Sequence, residues 1–294
     1  CQSFPLYDTV CTYALPEEHD LFSPVMAHHQ KNMACNNIIL HYANSLYKEP
    51  KDFKSLVFQS ILAQAEGIKM CVEHLRRCKP RCNGAIYWQL NDCWPGQSWS
   101  SIDYYFGLKA LHYYSKKFYA PHLVCLRDDG DRIKVSVSND TATATDYTVR
   151  CRLMNFEGET LYEQYVDASL APTSCQTVTV LKDPFGETGD DKLVYLELYD
   201  KQGNLLSENF HQRTKDKDLN YAVPNLKVEK IDDYTLSITT DTYTKNIFIE
   251  PHDNNCVLSD NYFHLLKGQT KIITSTAKID FDKLEITCLN ERNQ

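Results

Sequence analysis

Hydrophobic positions change their period near residue 120 of this chain. Up to Tyr119 they recur mostly at three- and four-residue steps; beyond Pro121 they alternate in twos almost to the end. The longer period marks one face of a helix and the shorter one face of a strand. The pattern predicts a mainly helical first part and an all-β remainder.

Within the first part, the first 20 or so residues carry Pro5 and Pro16, with Pro24 close behind, and read as a long irregular loop. Residues 28–47 place Met33, Ile38, Ile39, Tyr42, Ala43 and Leu46 at helical spacing. Pro50 suits the first turn of a next helix, where its missing N–H is not needed. That helix carries Phe53, Val57, Ile61, Ala65, Ile68, Cys71, Val72 and Leu75 on one face, with Gly67 as a candidate break and Pro80 as its end. Residues 84–90 are short and mostly apolar, the pattern of a strand buried on both faces. A polar loop follows at 91–101, and residues 104–119 return to a helical pattern through Leu108, Leu111, His112, Tyr114 and Phe118. Helix, buried strand, loop and helix is the rhythm of a β/α barrel or a doubly wound sheet. A whole barrel takes about 250 residues, so this stretch holds roughly two of its units.

Beyond residue 120, Ile133, Val135 and Val137 alternate with polar residues, as do Val149, Cys151 and Leu153. Turn signals at Asp129-Gly130, Glu157-Gly158, Gly186 and Gln202-Gly203-Asn204 divide the region into about seven strands, the count of an immunoglobulin-like sandwich. Residues 213–218 read as a charged linker. Leu236 and Ile238, Ile247 and Ile249, Ile272 and Ile273, then Leu284 and Ile286 predict a second, smaller β-sandwich. The expected domains are residues 1–120, 121–218 and 219–294.

Composition narrows the function classes. The 294 residues are 43% hydrophobic and 24% charged, a folded globular composition. A net charge of -8 argues against a nucleic-acid partner, which needs a basic face to displace counterions. No apolar run reaches the roughly 18–20 residues that cross a bilayer, so no membrane partner is expected. The chain opens at Cys1-Gln2-Ser3-Phe4-Pro5 without an initiating Met, which reads as a piece of a longer polypeptide. Its 12 cysteines point to an oxidising or lysosomal compartment, with disulfides or unpaired buried thiols.

The densest chemical signal follows the predicted strand: Trp88-Gln89-Leu90-Asn91-Asp92-Cys93-Trp94-Pro95-Gly96, then Ser98-Trp99-Ser100-Ser101-Ile102-Asp103, with all three tryptophans. Loops at the C-terminal ends of β/α strands build active sites. Aromatic planes beside amides and carboxylates suit a sugar, whose C–H faces stack while its hydroxyls take directional hydrogen bonds. The same residues would also serve as a packing cluster beneath a neighbouring domain, and residue types alone leave both readings open.

This segment resembles the last barrel strand and loop of the β-mannosidases of glycoside hydrolase family 2, which read much like W-Q-L-N-D-x-W-P and S-W-S-S-I-D-Y. The similarity covers most of residues 1–121. Gln2-Ser3-Phe4-Pro5 resembles the segment after the family's nucleophile motif. Gln59 and Gln64-Ala65-Glu66-Gly67-Ile68-Lys69 match the helix before the last strand. Lys109-Ala110-Leu111-His112-Tyr113-Tyr114 and Phe118-Tyr119-Ala120-Pro121 match the helix leaving the barrel, and Ser259-Asp260-Asn261-Tyr262-Phe263 resembles part of the last β domain.

The resemblance implies the C-terminal fragment of a TIM (β/α)8 barrel followed by two immunoglobulin-like β-sandwiches, a multidomain α/β plus all-β architecture. The implied enzyme is a retaining hydrolase that removes terminal non-reducing β-D-mannose from oligosaccharides, without a cofactor. Retaining glycosidases use two carboxyl groups about 5–5.5 Å apart. The nucleophile is expected three residues before the position of Cys1 and the acid/base further upstream, so no catalytic residue is assigned inside this chain, and the upstream part of the same polypeptide becomes its partner. The resemblance implies Trp88 as the platform for the mannose, Asn91 and Asp92 as contacts to hydroxyls or to neighbouring side chains, and Trp94 at the entrance. The rivals are a β-galactosidase or β-glucuronidase relative and a non-catalytic carbohydrate-binding module.

Remaining candidates are weaker. Glu17, Glu18 and Asp20 read as solvated loop carboxylates, and Glu66 and Glu73 as helix salt-bridge partners. His28-His29 beside His19 lacks metal-ligand spacing, and Cys78-x3-Cys82 with Cys71 and Cys93 would be a zinc site or thiols, so no metal is expected. Asn139-Asp140-Thr141 is a glycosylation sequon in a predicted turn. Lysosomal, or otherwise secreted, is the expected location.

Overall fold

The computed structural model describes residues 1–33, 36–186, 191–250 and 255–294. β-Sheet outweighs helix. The helices are α1 (Tyr7–Val10), α2 (Pro24–His28), α3 (Asn37–Leu46), α4 (Phe53–Arg77), α5 (Ala110–Phe118) and α6 (Leu289–Arg292). Polar side chains, more than apolar spacing, decide where they begin and end. Of the helix expected over 28–47 only α3 forms beyond His28, where α2 ends; Ser23 caps α2 by accepting the Met26 N–H at 3.4 Å, and Asn36, just before α3, donates to the Leu21 carbonyl at 2.7 Å. Met33, placed on the expected apolar face, is 100% exposed. Ala34 and Cys35 lie outside the described residues.

Pro50 does not open α4. Asp52 does, its Oδ1 accepting the Ser55 N–H at 2.7 Å, and the helix then runs unbroken through Gly67. A side chain at Gly67 would approach Cys1 Sγ to 3.1 Å, so the glycine serves close approach. The helix expected from residue 104 begins only at Ala110. Asp103 Oδ1 accepts the N–H groups of Tyr105 at 3.1 Å and Gly107 at 2.7 Å, an alternative that holds 103–107 in a turn. Residues 84–90 form no strand. Ile86 is 99% exposed and Leu90 also lies open, since burial on both faces needs neighbouring strands and the described residues supply none.

The chain divides into two compact units. One comprises Lys69–Ile86 and Ser115–Lys215. It holds β1 (His122–Asp128), β2 (Arg132–Asn139), β3 (Thr145–Asn155), β4 (Thr160–Leu170), β5 (Ser174–Lys182), β6 (Lys192–Asp200) and β7 (Leu205–His211). They form two antiparallel sheets, β1-β2-β5 and β4-β3-β6-β7. Val124, Val135 and Val137 of one sheet and Val149, Leu196 and Leu198 of the other fill a fully buried core. The last turns of α4 belong to this unit: Asn209 donates to Glu73 at 3.0 Å and accepts from Lys69 at 3.0 Å, while Arg76 donates to the Phe118 and Ala120 carbonyls at 2.5 and 2.9 Å.

The other unit comprises Cys1–Ile68, Tyr87–Tyr114 and Asp216–Gln294. Its strands are β8 (Lys227–Asp232), β9 (Thr235–Thr239), β10 (Thr244–Glu250), β11 (Phe263–Leu265), β12 (Thr270–Thr274) and β13 (Glu285–Thr287), in sheets β12-β9-β8 and β11-β10-β13. Leu236, Ile238, Ile247, Ile249, Phe263 and Ile273 form their core. Buried polar ties fasten this core to the helices of the same unit. Tyr114 donates to Glu66 at 3.0 Å and accepts from Asn246 at 2.6 Å, and Lys54 pairs with Glu250 at 2.8 Å.

Asn139 departs from the role expected of a sequon. It is fully buried, and its Nδ2, the atom a glycan would occupy, donates to the Thr143 and Ala171 carbonyls at 2.8 and 3.2 Å. Its Oδ1 accepts from the N–H and hydroxyl of Thr141 at 3.1 and 2.7 Å. The folded chain uses this amide to close the turn after β2. Asn139→Ala should leave these partners unsatisfied and cost about 1–3 kcal/mol in urea-induced unfolding; a change under about 0.5 kcal/mol would contradict the assignment.

Candidate functional site

The tryptophan-bearing loop has no long ladder, so side chains hold it. Residues 87–90 run beside 99–102: Gln89 donates its N–H to the Trp99 carbonyl at 3.1 Å, and the Ser101 and Ile102 N–H groups return to Gln89 and Leu90 at 3.0 and 2.9 Å. The Tyr87 and Ser101 hydroxyls lie 2.7 Å apart, and the Trp88–Gln89 peptide is cis. Asp92 gathers the turn between the two runs. Its Oδ2 accepts the Ser98 and Ser100 hydroxyls at 2.7 and 2.5 Å, and its Oδ1 accepts Gln89 Nε2 at 3.1 Å.

The segment Gln2-Ser3 seats against the far side of the turn. Ser3 and Ser98 exchange backbone hydrogen bonds at 2.9 and 3.0 Å, and Ser3 Oγ donates to the buried Gln64 of α4 at 2.9 Å. The motif pieces at 2–5, 64–69 and 88–103 thus meet in one place.

The expected site residues separate by environment. Trp88 is 72% exposed and presents its ring outward. Asn91 is also exposed, with its backbone bridged to Ile102. Trp94 is half-buried in a stack: its ring lies 4.6 Å from His29 at 4°, and His29 lies 4.0 Å from Tyr13 at 12°. Lys31 Nζ sits 4.1 Å from the Trp94 ring centre. His29 Nδ1 is 2.7 Å from the Pro95 carbonyl, and a Cβ on Gly96 would come within 2.4 Å of the His29 carbonyl oxygen. His28 and His29 serve this aromatic packing. No group of three or more metal-ligating side chains occurs among the described residues, and Cys71, Cys78, Cys82 and Cys93 are free thiols.

Two residues not singled out from the sequence complete the arrangement. Asp103 is buried and accepts from Thr9 Oγ1 at 2.7 Å, the Leu6 N–H at 3.2 Å and the Tyr105 and Gly107 N–H groups. Burial pushes its carboxyl pKa up, against the pull of those donors. Lys109 is fully buried beside Ala110 and Leu111, with its N–H on the Ser101 carbonyl at 3.0 Å. Burial pushes its ammonium down to about 8, against Asp92 and Asp103. The available signal was a lysine set among apolar positions in Leu108-Lys109-Ala110-Leu111.

The arrangement presents the exposed indole of Trp88 on a loop held by side-chain hydrogen bonds. Such a plane stacks on the apolar face of a pyranose, with Asn91 free at its edge. Asp92 accepts three loop donors and Asp103 accepts four, so both are holders of structure.

Lys109 gives the site a pH signature. Below about pH 8 the lysine is charged in both states, and the folded chain bears the full cost of burying that charge. Between about pH 8 and the ordinary lysine value of 10.5 only the unfolded chain keeps the proton, so stability rises with pH. Relative to Lys109→Met, the wild type should therefore gain about 2 kcal/mol between pH 7 and pH 10 in urea unfolding. A pH-independent difference would rule out the buried ammonium.

Comparison with known proteins places this geometry. Residues 131–218 match the mannosidase Ig/CBM-like domain, and residues 221–288 match the Ig-fold domain of mannosidases. β-Mannosidase B of Thermothelomyces thermophilus is 25% identical over 308 aligned residues, covering 92% of this chain and 36% of that protein. The β-mannosidase of Bos taurus is 32% identical over 145 residues, 45% of this chain and 16% of that one. The chain therefore spans about a third, or less, of the relatives it matches. In fold it resembles the β-D-mannosidase of Dictyoglomus thermophilum, with a TM-score of 0.86 and 22% identity over 98% of this chain and 36% of that one. It also resembles the Amycolatopsis orientalis exo-chitosanase, with a TM-score of 0.78 and 18% identity over 98% and 40%. Residues 131–218 and 221–288 are mannosidase-type immunoglobulin modules, and the chain corresponds to the C-terminal portion of a β-mannosidase of glycoside hydrolase family 2.

Proposed function

We propose that this chain contributes the mannose platform and the trailing modules of a retaining β-mannosidase, which removes terminal non-reducing β-D-mannose from oligosaccharides, including those derived from N-glycans. Residues 1–120 are the end of its (β/α)8 barrel, 121–218 an immunoglobulin-like sandwich and 219–294 a smaller one. The lysosome is the proposed location, with secretion as the alternative. The observation that carries the reading is Trp88, an indole left 72% exposed by a loop whose Ser98 and Ser100 hydroxyls are tied to Asp92. An exposed indole costs free energy in water, and the stacked face of a sugar repays it. Trp94 borders the same loop from its stack with His29 and Tyr13. Asn91 reaches a hydroxyl, and Asp92 acts by orienting Gln89, Ser98 and Ser100.

Double displacement needs two carboxyl groups about 5–5.5 Å apart on either side of the scissile bond. The loop hydroxyls, amide and N–H groups that Asp92 and Asp103 already bind argue against either in that pair. Trp88 then acts by fixing the ring so that the anomeric carbon meets them, a contribution of orientation.

The test uses the enzyme that carries this chain, assayed with p-nitrophenyl β-D-mannopyranoside and with the corresponding glucosaminide, galactoside and glucuronide. Release from the mannoside is expected, and cleavage of another glycoside with none of the mannoside would overturn the reading. Because Trp88 is exposed, Trp88→Ala should leave the Tm within about 2 °C. It should lower kcat/KM roughly 10- to 100-fold. Mannobiose binding to the isolated chain without hydrolysis by the enzyme would favour a binding module.

A further inference from the structure

The ring of Trp94 is already occupied. His29 covers it in parallel at 4.6 Å, His28 meets it edge-on at 5.8 Å, and the Lys31 ammonium lies over it, 4.1 Å from the ring centre. An indole covered in this way has little face left for a sugar. What it holds is a cation, attracted by the quadrupole of the ring. Lys31 Nζ also donates to the His28 carbonyl at 3.0 Å. An ammonium carries three N–H donors and no acceptor, so two donors remain on this exposed side chain.

The backbone around Lys31 is pinned to the same loop. Gln30 Oε1 accepts from Gln2 Nε2 and from the Asn32 N–H, each at 2.8 Å, and Asn32 Nδ2 donates to Gln2 Oε1 at 3.0 Å. Gln30 is bridged to Gln97 through the backbone, and Ser3, next to Gln2, pairs with Ser98. The residues on either side of Lys31 are thus fastened to the segment that seats against the tryptophan-bearing turn. A lysine serving solubility alone would keep its rotamer freedom, and seating it on a ring gives that freedom up.

We propose that Lys31 contacts the substrate and selects its leaving group: seated on Trp94, its ammonium donates to a hydroxyl of the sugar that departs when the mannose on Trp88 is released. The proposal rests on the β-mannosidase reading, in which Trp88 carries the mannose and Trp94 stands at the entrance. The bond is made to the leaving sugar in the bound substrate and persists while the glycosidic bond breaks. It therefore adds to binding and leaves the chemical step alone, which places its effect in KM.

The experiment assays wild type, Lys31→Met and Lys31→Arg in the full enzyme. The substrates are β-linked mannobiose and p-nitrophenyl β-D-mannopyranoside, whose leaving group brings no sugar hydroxyl. Lys31→Met should raise KM for mannobiose about tenfold, the loss of one charged hydrogen bond, with kcat within about twofold of wild type. Its kcat/KM on the aryl mannoside should stay within about twofold. Lys31→Arg keeps a cation that stacks on indole and should hold the mannobiose KM within about threefold. Both variants should keep the Tm within about 2 °C, because the side chain is exposed. A rise in mannobiose KM of less than about threefold in Lys31→Met overturns the proposal. So do equal losses on the two substrates, a loss that follows a fall in Tm, or an arginine variant as poor as the methionine one. A wild type that cleaves neither mannoside overturns the β-mannosidase reading and this proposal with it. One that cleaves both, with Lys31→Met matching it, overturns this proposal alone.

Discussion

Two carboxylates, the half-buried Asp92 and the buried Asp103, shape the loop on which the rest of the candidate site depends. Between them Asp92 and Asp103 accept from three hydroxyls, three backbone N–H groups and one side-chain amide. A segment rich in serine that folds beneath its own surface has no ladder to satisfy these groups, and each one left unpaired would cost about 1–3 kcal/mol. Supplying the acceptors from two side chains lets the backbone turn sharply while Ser98, Ser100 and Ser101 stay buried. The rigidity then has a direction. With much of the polar side consumed internally, the groups left exposed include Trp88, Leu90, Asn91 and Cys93, and Phe106 in the turn that Asp103 holds.

This division explains which parts of the molecule were legible in the sequence. Alternation of Ile133, Val135 and Val137 announces a strand with one buried face, and β2 is such a strand, because two stacked sheets impose the period that the residues display. Helix limits were less legible. Ser23, Asp52 and Asp103 set them through side-chain oxygens that accept backbone N–H groups, which hydrophobic spacing does not register. The apolar run at 84–90 misled for a related reason. Burial of a strand is a property of its neighbours, and Ile86 among the described residues has none to lie against.

The site was legible as a place and less so as a set of roles. Three tryptophans and the motif around them located it. Which indole packs and which is presented depended on His29 and Tyr13, some 60 to 80 residues away in sequence, which take Trp94 into a stack and leave Trp88 free. Lys109 entered the sequence reading only as part of a helix motif, because periodicity ranks a lysine as a surface residue, whereas here it is fully buried. A charged residue inside an apolar motif is a signal of this kind, readable only once its surroundings are placed.

The cysteines carry the last step. Their number suggested an oxidising compartment, yet Cys125, Cys151 and Cys288 are free thiols, buried where the surroundings push the thiol up to about 12. A thiol held that far from ionisation is a poor nucleophile for disulfide exchange at neutral pH, and it packs as a small hydrophobe. Cores built this way fold equally well in reducing or oxidising surroundings. With the Asn139 amide also committed to its own turn, neither feature of the composition bears on compartment, and the proposed lysosomal location rests on kinship with β-mannosidases alone.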